Sequence, residues 1–301
     1  MEKKLKVAIL GTGNIGTDLL IKVRRSSFLE CSLFAGRNFA SPGIQKAMNL
    51  GVPLSTRGIE AIIEDPLCCD LVFDCTSALS HQEHAPILEQ LGKIVVDLTP
   101  SKTGRMCVPA INLDECLVEH KINMITCGGQ VSTPIAYAIG QVHKDVEYIE
   151  AVSSIASRSA GPATRLNLDE YIETTQQGLL CFSGARHAKA ILILNPADPC
   201  IHMQTTVFAK VAEPRMDALK AAVAEIAERI RSYVPGYRLL VEPVLENGRI
   251  VVTARVSGLG DYLPEYAGNL DIINCAALAA AEGYAKARML SPMVVMGGGH
   301  A

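Results

Sequence analysis

No stretch of the chain reaches the roughly 18 uninterrupted apolar residues that a bilayer span requires, so no membrane helix is predicted. Nor is there an excess of positive charge. A formal net charge of -3 offers no general grip on a phosphate backbone and argues against nucleic acid as a partner. No CxxC pair and no Cys/His cluster with zinc-site spacing occurs, so no metal is expected. The 10 cysteines are scattered instead. Unpaired thiols in that number favour a reducing compartment, and each is by default a small buried hydrophobe. Met1-Glu2-Lys3-Lys4 followed by a short apolar run has the opening of a signal peptide. The run stops at once in a glycine turn, which reads as a first strand and predicts a cytoplasmic address.

What is present is the composition of a globular protein: 49% hydrophobic and 20% charged residues over 301 positions, near the length at which one core splits into two. Apolar runs at 5–10, 31–35, 71–74, 93–97 and 121–126 alternate with helical segments at 16–26, 44–50, 57–64 and 80–91. Such runs predict strands buried on both faces of a parallel sheet. After Thr133-Pro134 the pattern changes. Helices are predicted at 135–141, 168–178 and 216–233, the last with Leu219, Val223, Ile226 and Ile230 on one face. Strands are predicted at 146–154, 190–194, 200–209, 237–245 and 249–256, with a hairpin turn at Glu246-Asn247-Gly248. A final alanine-rich helix is predicted over 269–287, and the tail at 292–301, containing Gly297-Gly298-Gly299, has little to hold it in order. The fold class is therefore α/β: an N-terminal Rossmann domain over 1–130 with a parallel sheet, and an α+β domain over 131–268 with an open, largely antiparallel sheet. The helix near 269–288 is expected to pack back on the first domain.

The glycine turn Gly11-Thr12-Gly13-Asn14-Ile15-Gly16 stands between the first strand and the first helix. There the first glycine permits a tight turn, the second admits a pyrophosphate, and the third lets helix and strand approach. The helix N-terminus adds free N–H groups and a favourable dipole. All six residues are candidate dinucleotide contacts. An NAD site ordinarily ends its second strand in Asp or Glu, whereas this chain has Gly36-Arg37-Asn38. Arg37 can pair with a 2′-phosphate, helped by Asn38 or Ser41, or can be a solvent-facing loop arginine. The cofactor is NAD or NADP, and the arginine favours NADP.

Cys127 follows the apolar run 122–126 and precedes Gly128-Gly129, at the carboxyl edge of the predicted sheet. A thiol there can attack an aldehyde beside a nicotinamide, especially where a helix N-terminus favours the thiolate. A buried structural thiol is the competing reading.

Several longer motifs occur together in order: Val95-Val96-Asp97-Leu98-Thr99-Pro100, Asn123-Met124-Ile125-Thr126-Cys127-Gly128-Gly129-Gln130, Ser159-Ala160-Gly161-Pro162-Ala163-Thr164-Arg165, and Tyr262-Leu263-Pro264-Glu265-Tyr266-Ala267-Gly268-Asn269-Leu270. With them the chain resembles the acylating acetaldehyde dehydrogenases, which convert acetaldehyde, NAD and coenzyme A to acetyl-coenzyme A beside a 4-hydroxy-2-oxovalerate aldolase in aromatic catabolism. The resemblance implies Cys127 as nucleophile, Asn167 at the active site, Asn269 and Leu270 near the nicotinamide, and Ser159 in a cofactor-side or channel loop. It implies a homodimer, an aldolase partner, and small aldehyde and coenzyme A as substrates. Asn167 and Asn269 also suit helix caps, Gln130 can line the pocket, and Arg165 can meet an anion or brace its loop. An acidic residue is expected near Thr205, and threonine cannot act as a carboxylate base. Three alternatives stand beside this reading: transfer of the acyl group to water, transfer to phosphate as in a semialdehyde dehydrogenase, or a non-catalytic nucleotide-binding partner of an aldolase.

Overall fold

The computed structural model describes residues 4–290, so the glycine-rich tail at 292–301 lies outside the described residues. The first half is an alternation of strands and helices: β1 (Leu5–Leu10), α1 (Asn14–Arg25), β2 (Leu29–Ala35), α2 (Pro42–Asn49), β3 (Leu54–Ser55), α3 (Glu60–Glu64), β4 (Leu71–Asp74), α4 (Ala78–Gln90), β5 (Ile94–Asp97), β6 (Arg105–Met106), α5 (Pro109–Cys116) and β7 (Lys121–Asn123). The strands form a seven-stranded sheet in the order β3-β2-β1-β4-β5-β7-β6, every pair parallel. Helices cover both faces, which explains why Val7, Ala8, Ile9 and Leu10 are all buried.

The second half contains α6 (Cys127–Val142), β8 (Val146–Ala156), α7 (Pro162–Leu166), α8 (Leu168–Ser183), β9 (His187–Asn195), β10 (Met203–Val211), α9 (Met216–Arg231), β11 (Tyr237–Glu246), β12 (Arg249–Val256) and α10 (Gly268–Leu290). Its sheet runs β11-β12-β10-β8-β9. The β11–β12 hairpin closes through Asn247 and Gly248, both at positive φ, as a two-residue turn between paired strands requires. One edge departs from the antiparallel expectation: β8 and β9 pair in parallel, because α8 carries the chain back across the sheet before β9 begins. Helices α6, α8 and α9 lie on one face, where Ile149, Val207, Val252 and Ile226 share a core. α10 returns to α1 and α5, and its Ala276, Ala277, Ala280 and Ala281 join the first core.

Three predicted elements differ most. The helix expected over 57–64 starts only at Glu60, since Gly58 sits at a φ of +57°. The strand expected to reach Thr126 ends at Asn123, and the helix expected from 135 begins at Cys127 and runs through Pro134. Two glycines and a proline lower helix propensity. Burial of Val131, Ile135, Ala136 and Ile139 outweighs it.

Candidate functional site

The carboxyl ends of β1, β4, β5 and β7 converge on one edge of the first sheet, where ligands of open α/β folds bind. At β1, Gly11 takes a φ of 105°, which a side chain would rarely adopt. A Cβ on Gly16 would collide with the Gly11 carbonyl oxygen, so helix and turn touch there. A Cβ on Gly13, by contrast, meets no atom within 4 Å. Open space therefore stands at the start of α1, whose N-cap Gly13 has no side-chain cap for the first N–H groups. This cradle fits a pyrophosphate. Asn14 Nδ2 lies 3.6 Å from the position of a Cβ on Gly161, so the 157–165 loop lies beside the turn. Thr12 Oγ1 accepts a bond from Ser41 Oγ at 3.1 Å. Ile15 turns inward, packing on the first core while its carbonyl accepts from Asn274 Nδ2 at 3.1 Å.

At the end of β2 Arg37 is exposed. Asn38 Oδ1 accepts from the Ala40 N–H at 2.9 Å, and Ser41 caps α2 by accepting from Ile44 N–H at 3.2 Å. Both thus shape the loop that presents Arg37. No carboxylate occupies the strand end.

Cys127 is the first residue of α6, and Thr126 is its N-cap, with Oγ1 accepting from Gly129 N–H at 2.8 Å. The chain reaches it through a sharp turn at Ile125, a β-branched residue at a φ of 61°. That conformation is strained, of order 1–3 kcal/mol. The turn is held from behind: Ile125 N–H donates to Asn123 Oδ1 at 2.8 Å, and Asn123 Nδ2 donates to Asp97 Oδ2 at 2.7 Å. Asp97 also accepts from Thr99 N–H and Ser101 Oγ. His81 lies between Asp97 and Asp74, with Nε2 3.4 Å from the former and Nδ1 2.9 Å from the latter. His84 Nδ1 reaches the same Asp74 oxygen at 2.9 Å.

Gly128 and Gly129 lie inside the helix; the unusual backbone belongs to Ile125. What the glycines supply is room. A Cβ on Gly128 would collide with Tyr171 Oη and stand 2.8 Å from Ser153 Oγ. Gln130 does not line the pocket, because its Nε2 is buried and donates to the Cys107 and Met124 carbonyls at 2.8 and 2.9 Å. Cys127 is half-buried, and its Sγ lies 3.9 Å from Tyr171 Oη. Burial pushes the thiol up to about 11, while the Tyr171 phenol and the N–H groups of Gly128 and Cys127 itself pull it back. The resting centre is a thiol at the positive end of a helix.

Asn167 occupies the N-cap position of α8, but its side chain makes no cap bond. Its carbonyl accepts from Tyr171 N–H at 3.0 Å, which places Asn167 one turn before the residue that meets Cys127. Ser159 Oγ is buried and donates to the Ala156 carbonyl at 2.8 Å, so its hydroxyl holds the loop. Arg165 braces the same loop through the Ala160 and Ser157 carbonyls. Asn269 and Leu270 open α10 in buried positions, and Asn269 Oδ1 has no hydrogen-bond partner among the described residues. A buried amide oxygen with nothing to accept from suits a carboxamide donor. Thr205 is buried on β10, where its Oγ1 is 2.9 Å from Ser153 Oγ.

Sequence reasoning missed Tyr171, Ser153 and the Asp97–His81–Asp74 chain. Asp97 carried a signal, since its motif was already singled out. Tyr171 carried none.

Residues 127–264 match the family model described as "Prokaryotic acetaldehyde dehydrogenase, dimerisation". The chain is 60% identical to the acetaldehyde dehydrogenase of Pectobacterium atrosepticum over 284 residues, covering 94% of this chain and 96% of that one. It is 59% identical to the acetaldehyde dehydrogenase of Spirochaeta aurantia over 285 residues, 95% and 96% of the two chains. Among solved structures, the aspartate semialdehyde dehydrogenase of Candida albicans with NADP superposes with a TM-score of 0.63 at 11% identity, over 93% of this chain and 100% of that one. Identity that low speaks for the fold alone.

Proposed function

The chain belongs to the acetaldehyde dehydrogenase family, and from that premise we propose that it is an acylating enzyme. It would convert a small aldehyde, NAD or NADP, and coenzyme A to an acyl-coenzyme A. The observation that carries the reading is Cys127 at the first position of α6, half-buried beside the glycine-turn edge of the parallel sheet. A helix N-terminus favours negative charge on sulfur and on an oxyanion formed next to it.

In this reading Cys127 Sγ adds to the aldehyde carbon and forms a hemithioacetal. A bound nicotinamide supplies the acceptor for the hydride that this carbon then loses. The acyl group remains on Cys127 as a thioester, and the coenzyme A thiol takes it, releasing the Cys127 thiolate. The N–H groups that open α6 stand where oxyanion charge develops. Gly11, Thr12, Gly13, Asn14 and Gly16 would cradle the pyrophosphate, Asn269 would accept from the carboxamide with Leu270 beside it, and Arg37 would meet a 2′-phosphate. Asn167 is assigned to the substrate side of Cys127. The chain pairs with a second copy through the outer face of the second sheet, and an aldolase consumes or supplies its aldehyde.

The test is the initial rate of NADH and NADPH formation from acetaldehyde and propionaldehyde, with and without coenzyme A, for wild type and Cys127→Ala. Coenzyme A-dependent turnover abolished in the variant is expected. Turnover that survives in Cys127→Ala overturns the nucleophile, and turnover with phosphate or water in place of coenzyme A overturns the acylating assignment. Faster reduction of NAD than NADP overturns the role of Arg37.

A further inference from the structure

The thiol of Cys127 is pushed up by burial, and the influences that lower it are hydrogen bonds alone, with no charged group among them. Two of these come from the backbone, and among the described residues the only side chain is Tyr171. That phenol is itself buried, and burial together with the adjacent thiol pushes it well above the ordinary tyrosine value. It therefore stays protonated and serves as a donor rather than a base.

Its placement is tightly defined. Tyr171 stands one turn into α8, 6% exposed, with Oη 3.9 Å from Cys127 Sγ. Ser153 Oγ stands beside the phenol, since both it and Tyr171 Oη lie within 2.8 Å of the point a Cβ on Gly128 would occupy. Ser153 is paired across the second sheet with Thr205, and their hydroxyls are 2.9 Å apart on the face that meets α6. Thr126 Oγ1 is in turn 2.8 Å from Thr175 Oγ1, one turn after Tyr171 on the same helix. Gly128 is what permits this convergence, since a side chain there would strike Tyr171 Oη. A row of hydroxyls thus runs from the second sheet to the sulfur.

We propose that Tyr171 is a catalytic residue of the thiol centre: its O–H donates to Cys127 Sγ once the thiol has ionised, and Ser153 with Thr205 holds it in that orientation. In the resting state the S–H donates to Oη. Ionisation sends the thiol proton to water on the open side of Cys127, and the phenol turns its own proton toward the sulfur. The site lowers the cost of a thiolate by hydroxyl donors at a helix N-terminus, without a carboxylate or imidazole in contact with the sulfur among the described residues. The inference rests on the reading of Cys127 as the nucleophile.

The test reads the sulfur directly. Ligand-free, full-length protein is alkylated with iodoacetamide across a pH series, and modification of the Cys127 peptide is followed by mass spectrometry. In Tyr171→Phe the rate at Cys127 is expected to fall about tenfold at fixed pH, with its midpoint moved up about one pH unit. Exposed Cys181, on the same helix, is the internal control and keeps its rate if the fold is intact. Ser153→Ala, which leaves the ring in place, is expected to give a smaller shift in the same direction. An unchanged midpoint in both variants overturns the proposal. Turnover separates chemistry from packing: the kcat/KM deficit of Tyr171→Phe should shrink as pH rises, and a deficit equal at every pH would also overturn it. Because alkylation needs no substrate, this outcome is independent of whether coenzyme A is the acyl acceptor.

Discussion

At the scale of single residues, the most informative group is a carboxylate buried behind the turn that carries Cys127. Asp97 is fully buried and holds Asn123, which holds the strained Ile125 and so aims Cys127. Burial raises its carboxyl to about 6, although the neighbouring His81 pulls it down. Asp74 has the opposite balance: burial pushes it up, but bonds from His81 and His84 outweigh that and hold it well below the usual carboxylate range. Burial pulls His81 down, and Asp74 and Asp97 more than offset this, so its pKa is raised. The signs follow. Asp74 contributes stability above the ordinary carboxylate value that is lost on acidification, and His81 contributes stability below its ordinary value that is lost as pH rises. Asp97, raised from 3.8 to about 6, contributes stability at acid pH that is lost as pH climbs through that window. Asp97→Asn removes this loss. The unfolding midpoint of the variant relative to wild type should therefore rise between pH 4 and 6 and level off above. A flat difference across that range would mean that Asp97 does not ionise there.

The strands were legible because their chemistry is local. The runs read at 5–10, 71–74 and 249–256 coincide with β1, β4 and β12, where apolar pattern and turn residues agree. Gly11, Gly13 and Gly16 were legible as a turn for the same reason. Tyr171 was not, since an aromatic at helical spacing reads as core, and the sulfur it meets is 44 residues away in the chain. The start of α6 was hidden by Gly128, Gly129 and Pro134, whose propensities argue against a helix that tertiary packing nevertheless imposes.

At the scale of elements, the β1–α1 turn separates two roles that glycine motifs usually blur. A Cβ on Gly16 would strike the Gly11 carbonyl oxygen, whereas one on Gly13 meets only open space. Gly16→Ala must push strand and helix apart, with a cost of about 1–3 kcal/mol from overpacking. Gly13→Ala leaves the fold within about 0.5 kcal/mol of wild type, as expected where no neighbour is touched. Its methyl group does, however, fill the space that a pyrophosphate would take. Thermal unfolding and titration with NADH or NADPH should therefore rank the variants in opposite order: Gly16→Ala loses stability most, and Gly13→Ala loses dinucleotide affinity with its unfolding midpoint retained. Equal dinucleotide affinity in Gly13→Ala and wild type would place the pyrophosphate elsewhere.

At the scale of the whole molecule, two sheets are joined through α6 and α10. Lys22 locks part of this arrangement, since its Nζ lies 3.1, 2.7 and 2.7 Å from Asp18, Asp261 and Asp271 with all four side chains buried. The first sheet is covered on both faces, but α6, α8 and α9 cover only one face of the second. The other face presents Tyr148, Glu150, Val152, Thr206 and Phe208, all half-buried, with Arg249 stacked 5.6 Å from the Phe208 ring centre. Five strands at about 4.8 Å spacing present several hundred Å² there, the range of one side of a stable interface. A second copy seated there would bury Val152, on a strand flanked by β10 and β9. Light scattering of wild type should give twice the 32.2 kDa of one chain, and Val152→Glu should shift it toward a single chain by burying an unpaired charge. A wild-type mass of one chain would overturn the pairing, and a variant that keeps the doubled mass would move the interface to another face. Because Ser153 and Thr205 lie on the opposite side of the same strands, a change in sheet curvature on pairing would bear on the hydroxyls proposed to orient Tyr171.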